Sequence, residues 1–275
     1  MATAARATAF LRHYLVAVQF FTRLPVTGSL GAWVGFSPGM LRASAAHFPG
    51  VGWLVGIAAC AAFAVVSLAL PDTPFTPLAA AAAATACTAW MTGAFHEDGL
   101  ADLADGLGGS PDRQRALEIM KDSRIGSFGA IALILVLLAK VALLAVLATV
   151  SPAAAPAALL ASHVVSRFWP LVIIQTLVHI GDAAGSKSKP LAEAISHGAL
   201  VAGAAWCVVP LAVAVLAQGA AFVAAGVLAS ALAFLWMHRL LARRLQGFTG
   251  DGLGATQQAC ELAFYFGAAC ALGAA

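Results

Sequence analysis

The sequence predicts an all-α protein: a polytopic membrane helix bundle of about six or seven spans with an N-terminal amphipathic helix. The 275-residue chain is 61% hydrophobic and only 10% charged, whereas a soluble domain carries about 25% charged residues. Too little polar surface is available to cover a body that faces water, so the surrounding solvent must be lipid. The apolar residues also fall into long runs separated by short polar segments, as expected of helices that cross a bilayer.

The N-terminal helix is predicted over Thr8–Val26. Phe10, Tyr14 and Phe21 fall near one helical face, but the segment is short for a span and carries Arg12. An interfacial or re-entrant helix therefore fits it best. Seven apolar runs follow, near residues 48–70, 75–95, 126–150, 156–180, 199–217, 219–238 and 261–275. The last run is short for a full crossing, which leaves its topology open.

The distribution of basic residues gives these spans an orientation, because cytoplasmic loops carry an excess of Lys and Arg. All Lys and Arg residues except Lys140 and Arg167 lie in segments that the seven runs place on one side. We therefore predict a single integral membrane domain over residues 1–275 in the cell inner membrane. Its chemistry is expected on the cytoplasmic face, in loops 96–125, 181–198 and 239–260.

The run from His96 to Gly106 carries the densest chemistry in the chain. Asp98, Asp102 and Asp105 are spaced i, i+4 and i+7, so on a helix they fall within about 60° of one another. Three such charges repel unless a cation lies among them, and carboxylate oxygens suit Mg²⁺. A solvated acidic face is the alternative, but the run lies at the mouth of a span in a protein with few charges. We therefore predict a divalent metal site here.

Three further features are candidate binding or catalytic elements. The tetrapeptide Lys121–Arg124 brings a base, an acid, a hydroxyl and a second base to the edge of the next span, where cationic groups suit phosphate oxygens. Asp251 lies in a glycine-rich segment, and Arg167 lies inside an apolar helix, where a charge indicates function by default. The structural alternatives are ordinary anchoring of a span for Lys121–Arg124 and helix capping for Asp251. Arg167 could instead snorkel to the membrane interface or pair with an acid. No nucleic-acid-binding signature is present, so no nucleic acid is expected as a partner.

These segments together resemble the cobalamin synthase family, the adenosylcobinamide-GDP ribazoletransferases. The similarity follows the family's order over nearly the whole chain, and the blocks His-x-Asp-Gly-Leu-Ala-Asp and Asp-Ser-Arg are the specific ones. The matching stretches are Phe20–Val26, Phe48–Gly52, Gly93–Asp102, Asp105–Gly106, Leu117–Gly126, Ser166–Arg167 and Gly250–Ala255.

The resemblance implies a Mg²⁺-dependent transferase acting late in cobalamin biosynthesis. It would transfer the corrinoid phosphate of adenosylcobinamide-GDP to α-ribazole or α-ribazole 5′-phosphate, releasing GMP and forming adenosylcobalamin or its 5′-phosphate. The sequence does not distinguish free from phosphorylated ribazole, and it leaves the oligomeric state open.

Roles for individual residues follow from this hypothesis. The predicted metal ligands are Asp98, Asp102 and Asp105. A further ligand, or the base that takes the hydroxyl proton, is Asp122 or Asp251. The predicted substrate-binding residues are Lys121, Ser123, Arg124, Arg167 and His96, of which the three cations would hold phosphates.

Two other functions compete with this one. A membrane phosphotransferase of the CDP-alcohol type also uses aspartates at helical spacing, but its pattern has an Arg soon after Asp-Gly-x-x-Ala, where this chain has Asp102. A transporter would place its charges near the middle of broken helices, often in paired repeats. Here the acidic residues gather on one face, and no repeat is evident.

Overall fold

The computed structural model describes residues 2–180 and 195–273. Most of the predicted loop 181–198 therefore lies outside the described residues. The described chain is helical and contains no β-sheet, which confirms the all-α prediction. Its α-helices, numbered α1 to α12, are Ala2–Phe21, Gly28–Val34, Pro38–Ser44, Phe48–Ala69, Thr76–Thr92, Phe95–Gly109, Arg113–Met120, Ser127–Val150, Ala154–Thr176, His197–Gln218, Ala220–Arg244 and Gly250–Gly273.

Five stretches of the described chain are long and apolar enough to cross a membrane: α8, α9, α10, α11 and the run Pro38–Ala69 that ends in α4. A sixth is possible if α5 and α6, which form a bent pair, count as one crossing. These helices confirm a polytopic membrane bundle. The predicted last span, 261–275, proves to be the second half of the longer helix α12. Polar residues lower the hydropathy of α12, and they are tolerated because they lie against other helices instead of lipid.

Loops without basic residues and loops rich in them make separate contacts in the bundle. At one end, Gln218 Nε2 donates a hydrogen bond to Ser151 Oγ at 3.1 Å, joining two loops that lack basic residues. At the other end, Arg113 Nε donates to the Leu245 carbonyl at 2.6 Å. Segments rich in basic residues therefore meet at one end of the molecule, and this end carries the candidate site.

The N-terminal helix lies against the bundle through aromatic contacts. It begins at Ala2 and ends at Phe21, earlier than predicted, because Pro25 follows shortly after and the residue before a proline disfavours helix. The Tyr14 ring stacks on that of Trp206 at 5.3 Å, and its hydroxyl donates to the Gly50 carbonyl at 3.2 Å. The end of α1 lies beside α6, where the rings of Phe20 and Phe95 are 6.1 Å apart.

Candidate active site

The acidic helix α6 starts from a sharp bend. Gly93 and Ala94 both have left-handed backbone conformations, with φ of 70° and 57°, and α6 is bent by 90° away from α5. Glycine adopts this conformation without strain, and the Ala94 N–H is held by the Ala89 carbonyl at 2.7 Å. The helix therefore leaves the direction of its span, and the helical spacing predicted for its aspartates is confirmed.

Helices α6 and α12 cross in direct main-chain contact, which only glycine allows. A Cβ atom at Gly99 would come within 2.8 Å of the Asp251 carbonyl oxygen, and one at Gly254 would lie 3.3 Å from the His96 Cα. Real Cβ contacts are almost never as short as the first of these. The glycines of two separate motifs thus let α12 bring Asp251 to the acidic part of α6.

The carboxylates at this crossing lie close enough to repel one another. Burial, followed by the charges of three neighbouring carboxylates, raises the pKa of Asp102 to about 7; the neighbours are Asp251, Asp98 and Asp105. Burial and the Asp98 charge raise the pKa of Asp251 to about 6, against the effect of a hydrogen bond with Thr249. Negative charge therefore accumulates here at a cost that a bound cation would relieve.

These carboxylates suit a Mg²⁺ ion that also binds water and substrate phosphates. They do not form a complete cage of protein ligands. Across residues 2–180 and 195–273, no three His, Cys, Asp or Glu side chains converge as a complete metal site would. Mg²⁺ does not need such a cage, because it keeps several waters and is usually bound through one or two carboxylates plus substrate phosphates. Asp98 is exposed and Asp102 half-buried, so both side chains are accessible to solvent.

Asp105 differs from the other two aspartates of α6 in its contacts. Its Oδ2 accepts the Gly126 N–H at 2.7 Å, and its Oδ1 accepts the Gly129 N–H at 2.8 Å. The side chain is buried and satisfies two free N–H groups at the start of α8. Asp105 therefore holds α8 and the preceding loop against α6, while its predicted role as a metal ligand stays a prediction.

The loop between α7 and α8 carries the predicted phosphate-binding group. The Arg124 side chain forms a salt bridge with Asp122, in which Nη2 lies 2.6 Å from Oδ2 and Nε lies 3.0 Å from Oδ1. Hydrogen bonds from Arg124 lower the pKa of Asp122 to about 2. Lys121, Ser123 and Arg124 are exposed, and the loop is joined to α6 through Asp105. The tetrapeptide is thus presented at the surface next to the acidic helix.

A buried polar network links α6, α8, α9 and α12 within the bundle. Lys140 Nζ lies 2.8 Å from Glu261 Oε1, and both side chains are 2% exposed. Gln257 donates to Glu261 at 2.6 Å, and Gln258 donates to Glu97 at 3.1 Å. Sequence reasoning missed this network because its members lie on helices far apart in the chain. The available signal was the set of polar residues inside the otherwise apolar α12.

Arg167 lies where this network meets a cavity. Its Nη1 donates to the His163 carbonyl at 2.9 Å, whereas its Nε has no hydrogen-bond partner among the described residues. The cavity has a volume of about 50 Å³. Its aromatic walls are Phe20, Phe21, Phe48, Phe95 and Phe248, and His96 also lines it. Two residues predicted to bind substrate, His96 and Arg167, therefore line one cavity.

The comparison with known proteins decides the family. Residues 13–269 match the cobalamin-5-phosphate synthase family, CobS. The chain belongs to this family. Proteins called adenosylcobinamide-GDP ribazoletransferase are among its relatives. The one from Polaromonas naphthalenivorans is 61% identical over 96% of this chain and 99% of the relative. Those from Albidiferax ferrireducens and Leptothrix cholodnii are 58% and 44% identical, over 96% and 93% of this chain and 99% and 94% of the relatives. No solved structure matches the chain.

The resemblance seen in the sequence is thus confirmed. In the structure, the predicted site residues lie in three places. The carboxylates that gather at the α6–α12 crossing are Asp98, Asp102 and Asp251. The residues that line the adjoining cavity are His96 and Arg167. The residues of the α7–α8 loop, with the aspartate that fastens it, are Lys121, Asp122, Ser123, Arg124 and Asp105.

Proposed function

We propose that the chain is an adenosylcobinamide-GDP ribazoletransferase. It transfers the corrinoid phosphate of adenosylcobinamide-GDP to α-ribazole or α-ribazole 5′-phosphate and releases GMP. The observation that carries this proposal is the α6–α12 crossing, where two motifs shared with the family place Asp98, Asp102 and Asp251 together. The relatives' names and the full-length match support the same activity. Neither rival function, the CDP-alcohol phosphotransferase or the transporter, gains support from these comparisons.

Asp98 and Asp102 are proposed to hold Mg²⁺, the cofactor that the family resemblance implies. When bound, Mg²⁺ neutralises charge on the pyrophosphate of the substrate. The hard oxygen donors of both residues match the preference of this ion. Asp105 has both oxygens engaged by main-chain N–H groups, so we assign it to fixing α8 and not to the metal.

The transfer step needs one proton acceptor and several phosphate ligands. A ribose hydroxyl of ribazole attacks the phosphorus nearest the corrinoid, forming a new P–O bond. The bond from that phosphorus to the bridging oxygen breaks, and GMP leaves with its electron pair. Asp251 is the better acceptor for the hydroxyl proton, because both oxygens of Asp122 are held by Arg124. Lys121, Ser123 and Arg124 in the neighbouring loop would bind phosphate oxygens.

The site is proposed to face the cytoplasm from the inner membrane. The end of the bundle that carries it also carries the segments rich in Lys and Arg, which are retained on the cytoplasmic side. Nucleotide-activated corrinoid and ribazole would therefore meet the enzyme from that side.

The direct test is GMP release by the purified protein. The protein would be reconstituted in lipid nanodiscs and mixed with Mg²⁺, adenosylcobinamide-GDP and α-ribazole, and GMP and the corrinoid product would be followed by chromatography. Stoichiometric GMP and adenosylcobalamin are expected. Absence of GMP, together with uptake of corrinoid into proteoliposomes, would instead identify a transporter.

A matched pair of variants ties the activity to the crossing. Asp102→Ala should abolish transfer while the protein still inserts and purifies normally. Glu118→Gln, which removes an exposed carboxylate from the nearby helix α7, should retain full activity. Wild-type activity of Asp102→Ala would overturn the assignment of the metal.

A further inference from the structure

The buried carboxylate of Glu97, next to Asp98 in the first turn of α6, is held by a side chain of α12. Gln258 Nε2 donates a hydrogen bond to Glu97 Oε1 at 3.1 Å. Glu97 is 7% exposed and Gln258 is 2% exposed. The other oxygen, Glu97 Oε2, has no hydrogen-bond partner among the described residues, although the Arg167 charge is near enough to interact with it. Because a buried carboxylate is costly without hydrogen bonds, the contact with Gln258 strongly favours the arrangement that preserves it.

The buried ion pair between α8 and α12 sets which way the Gln258 amide faces. Lys140 Nζ donates to Gln258 Oε1 at 3.3 Å, and an ammonium group has only donors, so the amide oxygen must point towards α8. The amino group then faces the other way, where it donates to Glu97 and, at 2.9 Å, to Gln257 Oε1. Lys140 is itself fixed by Glu261, 2.8 Å away. The ion pair therefore ensures that a donor is presented to Glu97.

The first turn of α6 lacks the usual side-chain cap. Its N-cap residue is Ala94, which makes no capping hydrogen bond through its side chain and has a left-handed backbone. The glycine contact at Gly99 sets how closely α6 approaches α12, and the side chain of Glu97 adds a directional contact beside it. Asp98 follows Glu97 by one residue, which is about 100° around a helix. A fixed direction of the Glu97 side chain therefore also fixes the direction of Asp98.

We propose that Glu97 is a positioning residue for the acidic crossing. Its hydrogen bond from Gln258 fixes the rotation of α6 about its axis. That rotation holds Asp98 and Asp102 beside Asp251. The proposal rests on the ribazoletransferase function and on the metal-binding role given above to Asp98 and Asp102. Side chains at such a site must be held within about 0.5 Å of the productive geometry, and a misplacement of about 1 Å can cost about 100-fold in rate.

Two substitutions at position 97 separate positioning from direct chemistry. Glu97→Gln keeps an acceptor oxygen for Gln258, so kcat should stay within about three-fold of wild type. Glu97→Met has a similar length but no oxygen, so kcat should fall about 100-fold. Asp98→Asn, which alters a proposed metal ligand, is the reference for a loss of direct chemistry. If Glu97→Gln is as impaired as Asp98→Asn, Glu97 acts through its own charge and the positioning role is overturned.

The response to Mg²⁺ distinguishes positioning from a purely structural role. A structural role would lower the thermal midpoint of Glu97→Met without changing how strongly Mg²⁺ raises that midpoint. Positioning of Asp98 predicts that Glu97→Met loses most of the Mg²⁺-induced rise, measured without substrates, and that Glu97→Gln keeps it. The Mg²⁺ concentration for half-maximal activity should rise about 10-fold or more in Glu97→Met alone. An unchanged Mg²⁺ response of folded Glu97→Met would overturn the proposal.

An exchange of the two side chains tests the contact itself. Gln258→Glu sets a second carboxylate against Glu97 and should lower kcat about 100-fold. Adding Glu97→Gln restores the hydrogen bond with donor and acceptor exchanged, and it also restores the net charge of the pair. The double variant should recover to within about five-fold of wild type. Gln218→Glu is the control, since Gln218 bonds to Ser151 at the opposite end of the bundle, and it should keep full activity.

The outcomes separate this proposal from the function on which it rests. No GMP from wild type would overturn the function itself. An active wild type, with a folded double variant no better than Gln258→Glu alone, would overturn the proposal alone. If Gln258→Glu or Glu97→Met does not fold, Glu97→Gln still decides, because it keeps the hydrogen bond and removes only the charge.

Discussion

Gly99 of α6 lies against the main chain of Asp251 in α12, so closely that a Cβ at position 99 would come within 2.8 Å of the Asp251 carbonyl oxygen. The contact is between two rigid helices, and neither can yield by rotating a side chain. The two motifs that carry most of the acidic chemistry are therefore positioned by the absence of a side chain, and Asp251 reaches Asp98 and Asp102 because of it.

Gly99→Ala should lower kcat about 100-fold, because the added methyl forces α6 and α12 apart and displaces Asp251 from its partners. Gly109→Ala is the matched control on the same helix, since its Cβ would meet only the flexible end of Ile119. GMP release and elution on gel filtration would be measured for both variants. Full activity of Gly99→Ala would show that the close crossing is not required.

Mg²⁺ should stabilise the protein more strongly at high pH than at low pH. The folded-state pKa of Asp102, about 7, lies above its ordinary value of 3.8, so its ionisation destabilises the fold increasingly as pH rises between these values. A bound cation offsets that repulsion and competes with protons for the same carboxylate. The thermal midpoint with Mg²⁺ or EDTA would be compared at about pH 5.5 and about pH 8. Equal Mg²⁺ shifts at both pH values, or a shift that persists in Asp102→Asn, would contradict this prediction.

Asp105→Asn should lower stability without changing the dependence on Mg²⁺. An amide has one acceptor oxygen where the carboxylate has two, so one of the N–H groups of Gly126 and Gly129 loses its charged partner, at a cost of about 1.5–3 kcal/mol. The Mg²⁺ concentration for half-maximal activity would be measured beside the thermal midpoint, with Asp98→Asn for comparison. If Asp105→Asn raises that concentration as strongly as Asp98→Asn does, Asp105 is a metal ligand as the spacing suggested.

Glu261→Gln should destabilise the protein by about 3–5 kcal/mol, because Lys140 would remain buried without its counter-ion. The double variant Lys140→Met/Glu261→Gln should recover part of that loss, since it removes both buried charges. Glu118→Gln breaks an exposed pair with Arg115 and should cost less than about 1 kcal/mol. Denaturant titration in detergent micelles gives all three values. A Glu261→Gln protein as stable as the Glu118→Gln control would mean that the pair does not hold the helices together.

The aspartates of α6 show what helical spacing predicted correctly and what it could not predict. Helical spacing placed Asp98, Asp102 and Asp105 on one face, and the helix is present as expected. Spacing could not reveal that Asp105 receives two N–H groups from the start of α8, because that contact depends on how α8 folds back. The same limit applied to Lys140, whose partner Glu261 lies on a helix much later in the chain.

By itself, the sequence determined that the protein is a helical membrane bundle with its charged segments at one end, and it pointed to the correct family. These properties follow from hydropathy, charge and spacing, which are local and can be read along the chain. Only the tertiary structure decided that α6 turns by 90°, that α12 crosses it at Gly99, and that an aromatic cavity opens beside Arg167. Those features depend on which helices pack together, and packing is a property of surfaces that are distant in sequence.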